Sequence, residues 1–151
     1  ATQMLQGLAV SIEMLHEEGL DNVFARHDRL AEATRRAIKT WGLDTICRDP
    51  KYYSPTITAV LLPEGHDADA FRALALEQFN ISYGSSFGRF TGKMFRIGHL
   101  GDINDAMMLG GLAATEMALA LANIPHKKGG VQAAMDYLVS QHGRAAKQAA
   151  E

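Results

Sequence analysis

A length of 151 residues suits one domain of ordinary size, long enough to bury roughly two-thirds of its unfolded surface without a metal or disulfide staple. Apolar residues at 47% and charged residues at 21% exclude the disordered class, and a net charge of -2 gives no field that would gather nucleic acid or an anionic membrane. The single cysteine, Cys47, excludes an internal disulfide framework and points to a reducing, cytoplasmic compartment.

The first residues, Ala1-Thr2-Gln3-Met4-Leu5, lack a basic segment followed by an apolar run, so no signal peptide is expected. Met4, Leu5, Leu8, Ile12 and Leu15 recur at helical spacing and predict an amphipathic helix. Gly19 ends it, with Leu20 placed for the hydrophobic contact of a Schellman-type stop. Asp21 or Asn22 is expected to cap a second helix, whose stripe is Val23, His27, Leu30, Thr34, Ile38 and Trp41 and which closes at Gly42. His27 on that stripe reads as a hydrogen-bonded core histidine. Arg26, Asp28, Arg29, Glu32, Arg35 and Arg36 read as a solvated outer face whose salt bridges are individually weak.

Residues 56–62 form a β-rich run stopped by Pro63. Asp67 is placed to cap a helix through Phe79, with Phe71, Leu74 and Ala75 turned inward. A short strand is expected at Ile81-Ser82-Tyr83, then a loop with glycines at 84, 88 and 92, then a strand over 93–98. Asp102, with Asp105 three residues on, opens a long apolar helix that ends near Asn123 and Pro125. The apolar stretch 106–122 is short for a membrane span, and Glu116 interrupts it where a charge would be costly. A last alanine-rich helix starts near Val131 after the 126–130 turn, and its polar end, 144–151, is expected to fray. Together these elements predict an α+β fold: a small, mainly antiparallel sheet with helices packed on one face, preceded by two helices.

Chemistry is sparse in this pattern. The histidines at 16, 27, 66, 99, 126 and 142 do not fall at metal-ligand spacing, and no serine sits in a nucleophile elbow. The glycine-spaced 84–92 loop feeds a strand rather than a helix N-terminus, so its glycines suit backbone turning and close approach better than a phosphate cradle. Arg96 is more informative. Strand alternation puts Phe95 and Ile97 on the helix-packed face and leaves Arg96, with Met94 and Gly98, on the other. There its planar fork could grip a carboxylate bidentately, the alternative being a structural ion pair with a local acid.

The string Lys93-Met94-Phe95-Arg96-Ile97-Gly98-His99-Leu100-Gly101-Asp102-Ile103-Asn104 resembles the signature of the small C-terminal domain of class V pyridoxal-phosphate aminotransferases. Within that family it is most similar to the bacterial serine–glyoxylate type. Glu17-Glu18-Gly19-Leu20-Asp21-Asn22-Val23-Phe24-Ala25-Arg26-His27 resembles the family's linker helices. Pro63-Glu64-Gly65-His66-Asp67-Ala68-Asp69 resembles its small-domain strand-to-helix turn. The resemblance implies linker helices over 1–42 and the small domain over 43–151. It implies that Arg96 binds the substrate α-carboxylate in an enzyme moving an amino group from serine or alanine to glyoxylate. Ser85-Ser86-Phe87 depart from the family, which tends to have smaller or glycine-rich residues there, and this bears on loop shape and substrate preference.

The family's large domain holds pyridoxal 5'-phosphate, the Schiff-base lysine and the aspartate that pairs with the pyridine nitrogen. Nothing in this sequence resembles that domain, and the lysines at 39, 51, 93, 127, 128 and 147 all fall in linker or small-domain contexts. The Tyr-Thr pair that reaches a neighbouring subunit's cofactor phosphate would stand just before Ala1. The expectation is therefore a C-terminal portion that binds no cofactor and has no activity alone. It is expected to form a homo-oligomer hiding Met4, Leu5, Leu8 and Ile12. A free-standing α+β module binding a small carboxylate or a protein partner is the other reading.

Overall fold

The computed structural model describes residues 1–148. Five helices and a three-stranded antiparallel sheet make up the described fold, an α+β arrangement as expected. The helices are α1 (Thr2–Glu18), α2 (Leu20–Trp41), α3 (Ala68–Phe79), α4 (Asp105–Leu121) and α5 (Gly130–Gln148). The strands β1 (Asp44–Thr45), β2 (Ile57–Leu61) and β3 (Met94–Gly98) lie in chain order across the sheet. Of the stretch 144–151, expected to fray, residues 149–151 lie outside the described residues.

The sheet register fixes the two faces. Thr58 lies opposite Ile97 and Val60 opposite Phe95, all four buried, whereas Ala59 lies opposite Arg96. Period-two alternation therefore sends the helix-packed face and the Arg96 face to opposite sides, as the sequence predicts. Behind the sheet Phe71 of α3, Tyr83 and Phe95 form an aromatic cluster with centroids 4.6–5.7 Å apart. The core continues through Leu30, Ile38 and Trp41 of α2 to Leu112 and Leu119 of α4 and Leu138 of α5.

Two local expectations hold and several need correction. The Asp67 carboxylate caps α3 by accepting from the Asp69 and Ala70 amides, and the helix runs through Phe79, after which Asn80 stands in the left-handed region. Neither Asp21 nor Asn22 caps α2, which starts directly at Leu20 after Gly19, whose positive φ of 81° breaks the chain from α1. Leu20 therefore stays exposed instead of closing a Schellman stop. The cap of α4 is Asn104, whose side chain accepts from the Met107 amide, so the helix begins three residues after Asp102. The expected strand at Ile81-Ser82-Tyr83 is absent. Arg72 Nε donates to the Tyr83 carbonyl, and two residues on Arg96 Nε donates to the Ser85 carbonyl. Just beyond Tyr83, Gly84 forms a single antiparallel bridge to Arg96.

Glu116 shows how a charge is accommodated in an apolar helix. Its carboxylate accepts from Trp41 Nε1 at 2.7 Å, from the Gly129 amide at 2.9 Å and from the Val131 amide at 3.2 Å. It thereby caps α5 and ties that helix to α2 through an indole. Burial pushes its pKa up, but those three donors and the nearby His126 outweigh burial and leave it below 4.5. The α1 stripe, by contrast, is left uncovered among the described residues: Met4, Leu5, Leu8, Ile12 and Leu15 are all exposed and α1 has no buried residue. Among the described residues no helix is long and apolar enough to cross a membrane.

Candidate functional site

Arg96 is held by the segment that runs alongside β3. Gly84 and Arg96 exchange both backbone hydrogen bonds at 3.0 Å. Beyond that bridge, Arg96 Nε donates to the Ser85 carbonyl at 2.8 Å. The Phe87 ring centroid lies 5.0 Å from the guanidinium carbon. The missing Cβ eases this close approach, because a Cβ at 84 would crowd Arg96 Nε at 3.0 Å.

Among the described residues no carboxylate stands within ion-pair distance of Arg96, and no protein acceptor takes a hydrogen from its two terminal nitrogens. The ion-pair alternative is therefore not what occupies this arginine. Its Nε is anchored, and its Nη1 and Nη2 meet no protein acceptor among the described residues, an arrangement compatible with the planar, two-point contact a guanidinium can make. The 84–92 loop is stabilised internally. The Ser86 hydroxyl accepts from the Gly92 amide at 3.2 Å, and the Gly92 carbonyl accepts from the Ala68 amide at 2.8 Å. It is a backbone wall beside the arginine.

Just past β3, His99 is completely buried. One ring nitrogen, Nδ1, lies 2.9 Å from the Pro55 carbonyl, and Nε2 lies 2.9 Å from the Thr58 hydroxyl. A neutral ring that donates from Nδ1 and accepts at Nε2 satisfies both partners. Burial is the chief cause that depresses its pKa to about 4, against the opposing hydrogen bond to Pro55. With the His99 amide donating to the Thr56 carbonyl at 2.9 Å, this residue locks the 54–56 segment to the end of the arginine strand. Sequence inspection counts His99 among unplaced histidines. Its partners lie 41 and 44 residues away, so no local pattern marks it.

The residues after His99 are gripped from α2, which corrects the reading of Arg26 as part of a solvated coat. Arg26 donates from Nε and Nη2 to the two Glu18 carboxylate oxygens at 2.6 Å each. Its Nη1 donates to the carbonyls of Gly101 and Ile103 at 2.7 and 3.1 Å. That pairing holds the Glu18 pKa below its usual value, the Arg26 hydrogen bond being the main cause. His27 is half-buried rather than a core histidine. Its Nδ1 lies 2.7 Å from the Val23 carbonyl, and Nε2 accepts from the Gly101 amide at 3.1 Å. Arg29 likewise reaches out of α2 to Asp105 at 2.9 Å, and Asp105 also meets His142 at 2.6 Å. A cleft of about 670 Å³ opens between α1 and this loop, lined by Glu18, Arg26, His27, Thr56, Leu100 and Asp102.

A pyridoxal-type cofactor requires a recessed lysine with a group set against its ring. The lysines at 39, 51, 93, 127 and 128 are all exposed, so none of these five is recessed in that way. Nor do any three described His, Cys, Asp or Glu side chains gather as a metal cluster. What the site offers is a fixed guanidinium fork beside a backbone wall.

No protein-family model matches the chain. It is 47% identical over 138 residues to the serine–glyoxylate aminotransferase of Hyphomicrobium methylovorum, covering 91% of this chain and 34% of that protein. It is 42% identical over 148 residues to the L-aspartate–glyoxylate aminotransferase of Paracoccus denitrificans, covering 97% of this chain and 37% of that protein. Its fold matches the crystal structure of pyridoxamine–pyruvate aminotransferase from Mesorhizobium loti with a TM-score of 0.83 at 31% identity, over 89% of this chain and 35% of that one. The chain spans about a third of the length of the curated relatives it matches. It belongs to the class V aminotransferases and corresponds to a C-terminal portion of one.

Proposed function

We propose that this chain is the substrate-carboxylate half of a transaminase that moves an amino group from serine, or alanine, to glyoxylate. The observation that carries the reading is the Arg96 fork, anchored at Nε by the Ser85 carbonyl and met by no carboxylate among the described residues. In this reading residues 1–42 are linker helices and 43–151 the small domain. Pyridoxal 5'-phosphate, held by other parts of the enzyme, supplies the electron sink for the exchange. This chain binds the amino or 2-oxo acid through its carboxylate and orients it, which serves the reaction by proximity alone.

The chain by itself therefore binds small carboxylates and does not transaminate. Calorimetry with glyoxylate is expected to give heat that the Arg96→Ala variant loses. Identical heats in the two proteins would refute the assignment of Arg96. With pyridoxal phosphate, L-serine and glyoxylate added, hydroxypyruvate formation at an enzymatic rate would refute inactivity of the isolated chain. The exposed stripe of Met4, Leu5, Leu8 and Ile12 supports self-association, in which copies cover that apolar face. Light scattering at high protein concentration reads this, and a monomer would count against it.

A further inference from the structure

The side chain that the carboxylate reading leaves without a role is Phe87. It is large, apolar and 68% exposed, so it contributes little to the core. It stands over Arg96, with the ring centroid 5.0 Å from the guanidinium carbon, within the range of a cation–π contact. On the backbone side the same guanidinium is bonded by the Ser85 carbonyl at 2.8 Å. Gly84 leaves no side chain between the two segments, so Arg96 is confined from one side by backbone.

We propose that Phe87 is a positioning and specificity-determining residue for the carboxylate site, favouring small monocarboxylates over dicarboxylates. This rests on the reading of Arg96 as the carboxylate ligand. An arginine with a free fork has several rotatable bonds, and an external carboxylate must bear the cost of fixing them. The Ser85 bond fixes Nε, and the Phe87 ring beneath the guanidinium carbon restricts where the group can swing, so the fork is restrained before the ligand arrives. The same ring places hydrocarbon beside the bound carboxylate. An aromatic face carries negative potential, so a second carboxylate on the ligand gains nothing there and loses hydration. A hydrogen or neutral substituent has no such penalty.

The test uses the 151-residue chain and two stable acids that differ in one carboxylate, glycolate and L-malate, titrated by NMR on the Arg96 Nε–H and neighbouring amides. Phe87→Ala is expected to weaken glycolate binding about 2- to 5-fold, the size of an exposed cation–π contact. The same variant is expected to narrow the preference for glycolate over L-malate. Phe87→Tyr, which keeps the ring, should restore both, which a purely structural role at so exposed a position does not require. Because Phe87 is exposed, these variants are expected to fold like the parent, and circular dichroism checks that. Two results overturn the proposal, and they are distinguishable. If Phe87→Ala titrates both acids like the parent while Arg96→Gln abolishes binding, the role of Phe87 falls and the reading of Arg96 stands. If Arg96→Gln leaves the glycolate response unchanged, both fall.

Discussion

Gly84 and Arg96 are bonded backbone to backbone in both directions, and the space that a Cβ at 84 would need is filled by the arginine's own side chain. A methyl there would lie 3.0 Å from Nε, 3.1 Å from Cβ and 3.3 Å from Cζ of Arg96. The backbone angle at 84 is ordinary, so crowding decides the outcome. Gly84→Ala is expected to cost about 1–2 kcal/mol of stability by overpacking. Its larger effect is expected on the fork, whose Nε is pushed out of line with the Ser85 carbonyl. Glyoxylate affinity measured by calorimetry should drop roughly tenfold. An unchanged affinity would mean that Arg96 binds without this brace.

A second close approach fixes α5. Any Cβ on Gly130 would overlap the Trp41 indole at Nε1, Cε2 and Cδ1, none of which can move without leaving the core. Gly130→Ala should destabilise the chain by about 3 kcal/mol, lowering the melting temperature by about 6–12 °C. Since Trp41 is the single tryptophan, its fluorescence should change at the same time. A variant that melts with the parent would show that α5 can slide along α2 at no cost.

Glu116 joins the same corner through Trp41 and the α5 amides. Glu116→Gln replaces an acceptor with a group whose amide must face one of three donors, and about 1–3 kcal/mol should be lost at pH 7. The pH dependence has a definite sign. The folded pKa lies below 4.5, so this carboxylate's contribution is complete above 4.5 and disappears as pH falls through the lower folded value. In urea titrations the gap between parent and Glu116→Gln should therefore shrink below pH 4.5. A constant gap down to pH 2 would remove the ionic contribution from the account.

What could be read from sequence follows the range of each interaction. The α3 boundaries were legible because Asp67 bonds amides two and three residues on. The strand of Arg96 was legible because alternation is a local period. The two-residue β1 has no period and exists only because Val60 and Leu61 pair with it. An arginine on a helix exterior has the same spacing whether it faces water or a distant carbonyl, so Arg26 reaching Gly101 was invisible. The α1 stripe posed the converse problem. Periodicity announced an apolar face, but the partner that covers such a face is not encoded in the stripe.

His99 offers a prediction separated from the others by its pH window. A histidine of ordinary pKa 6.5 in the unfolded chain, held near 4 when folded, binds its proton more weakly in the native state. The unfolded chain therefore takes up the proton first, and stability falls as pH drops from 6.5 to about 4, then levels for this group. The full effect is at most roughly 3 kcal/mol, from a depression of about two and a half pH units. His99→Gln keeps an amide able to donate to the Pro55 carbonyl and to accept from Thr58, but it cannot titrate. Urea denaturation at pH 7.5, 5.5 and 4.5 should show the parent losing stability across this interval while the variant changes much less. At pH 7.5 the variant is expected to be the less stable of the two, because a buried ring of different shape is replaced. Parallel pH profiles for the two proteins would show that protonation of His99 is not what loosens the segment locked to the end of the arginine strand.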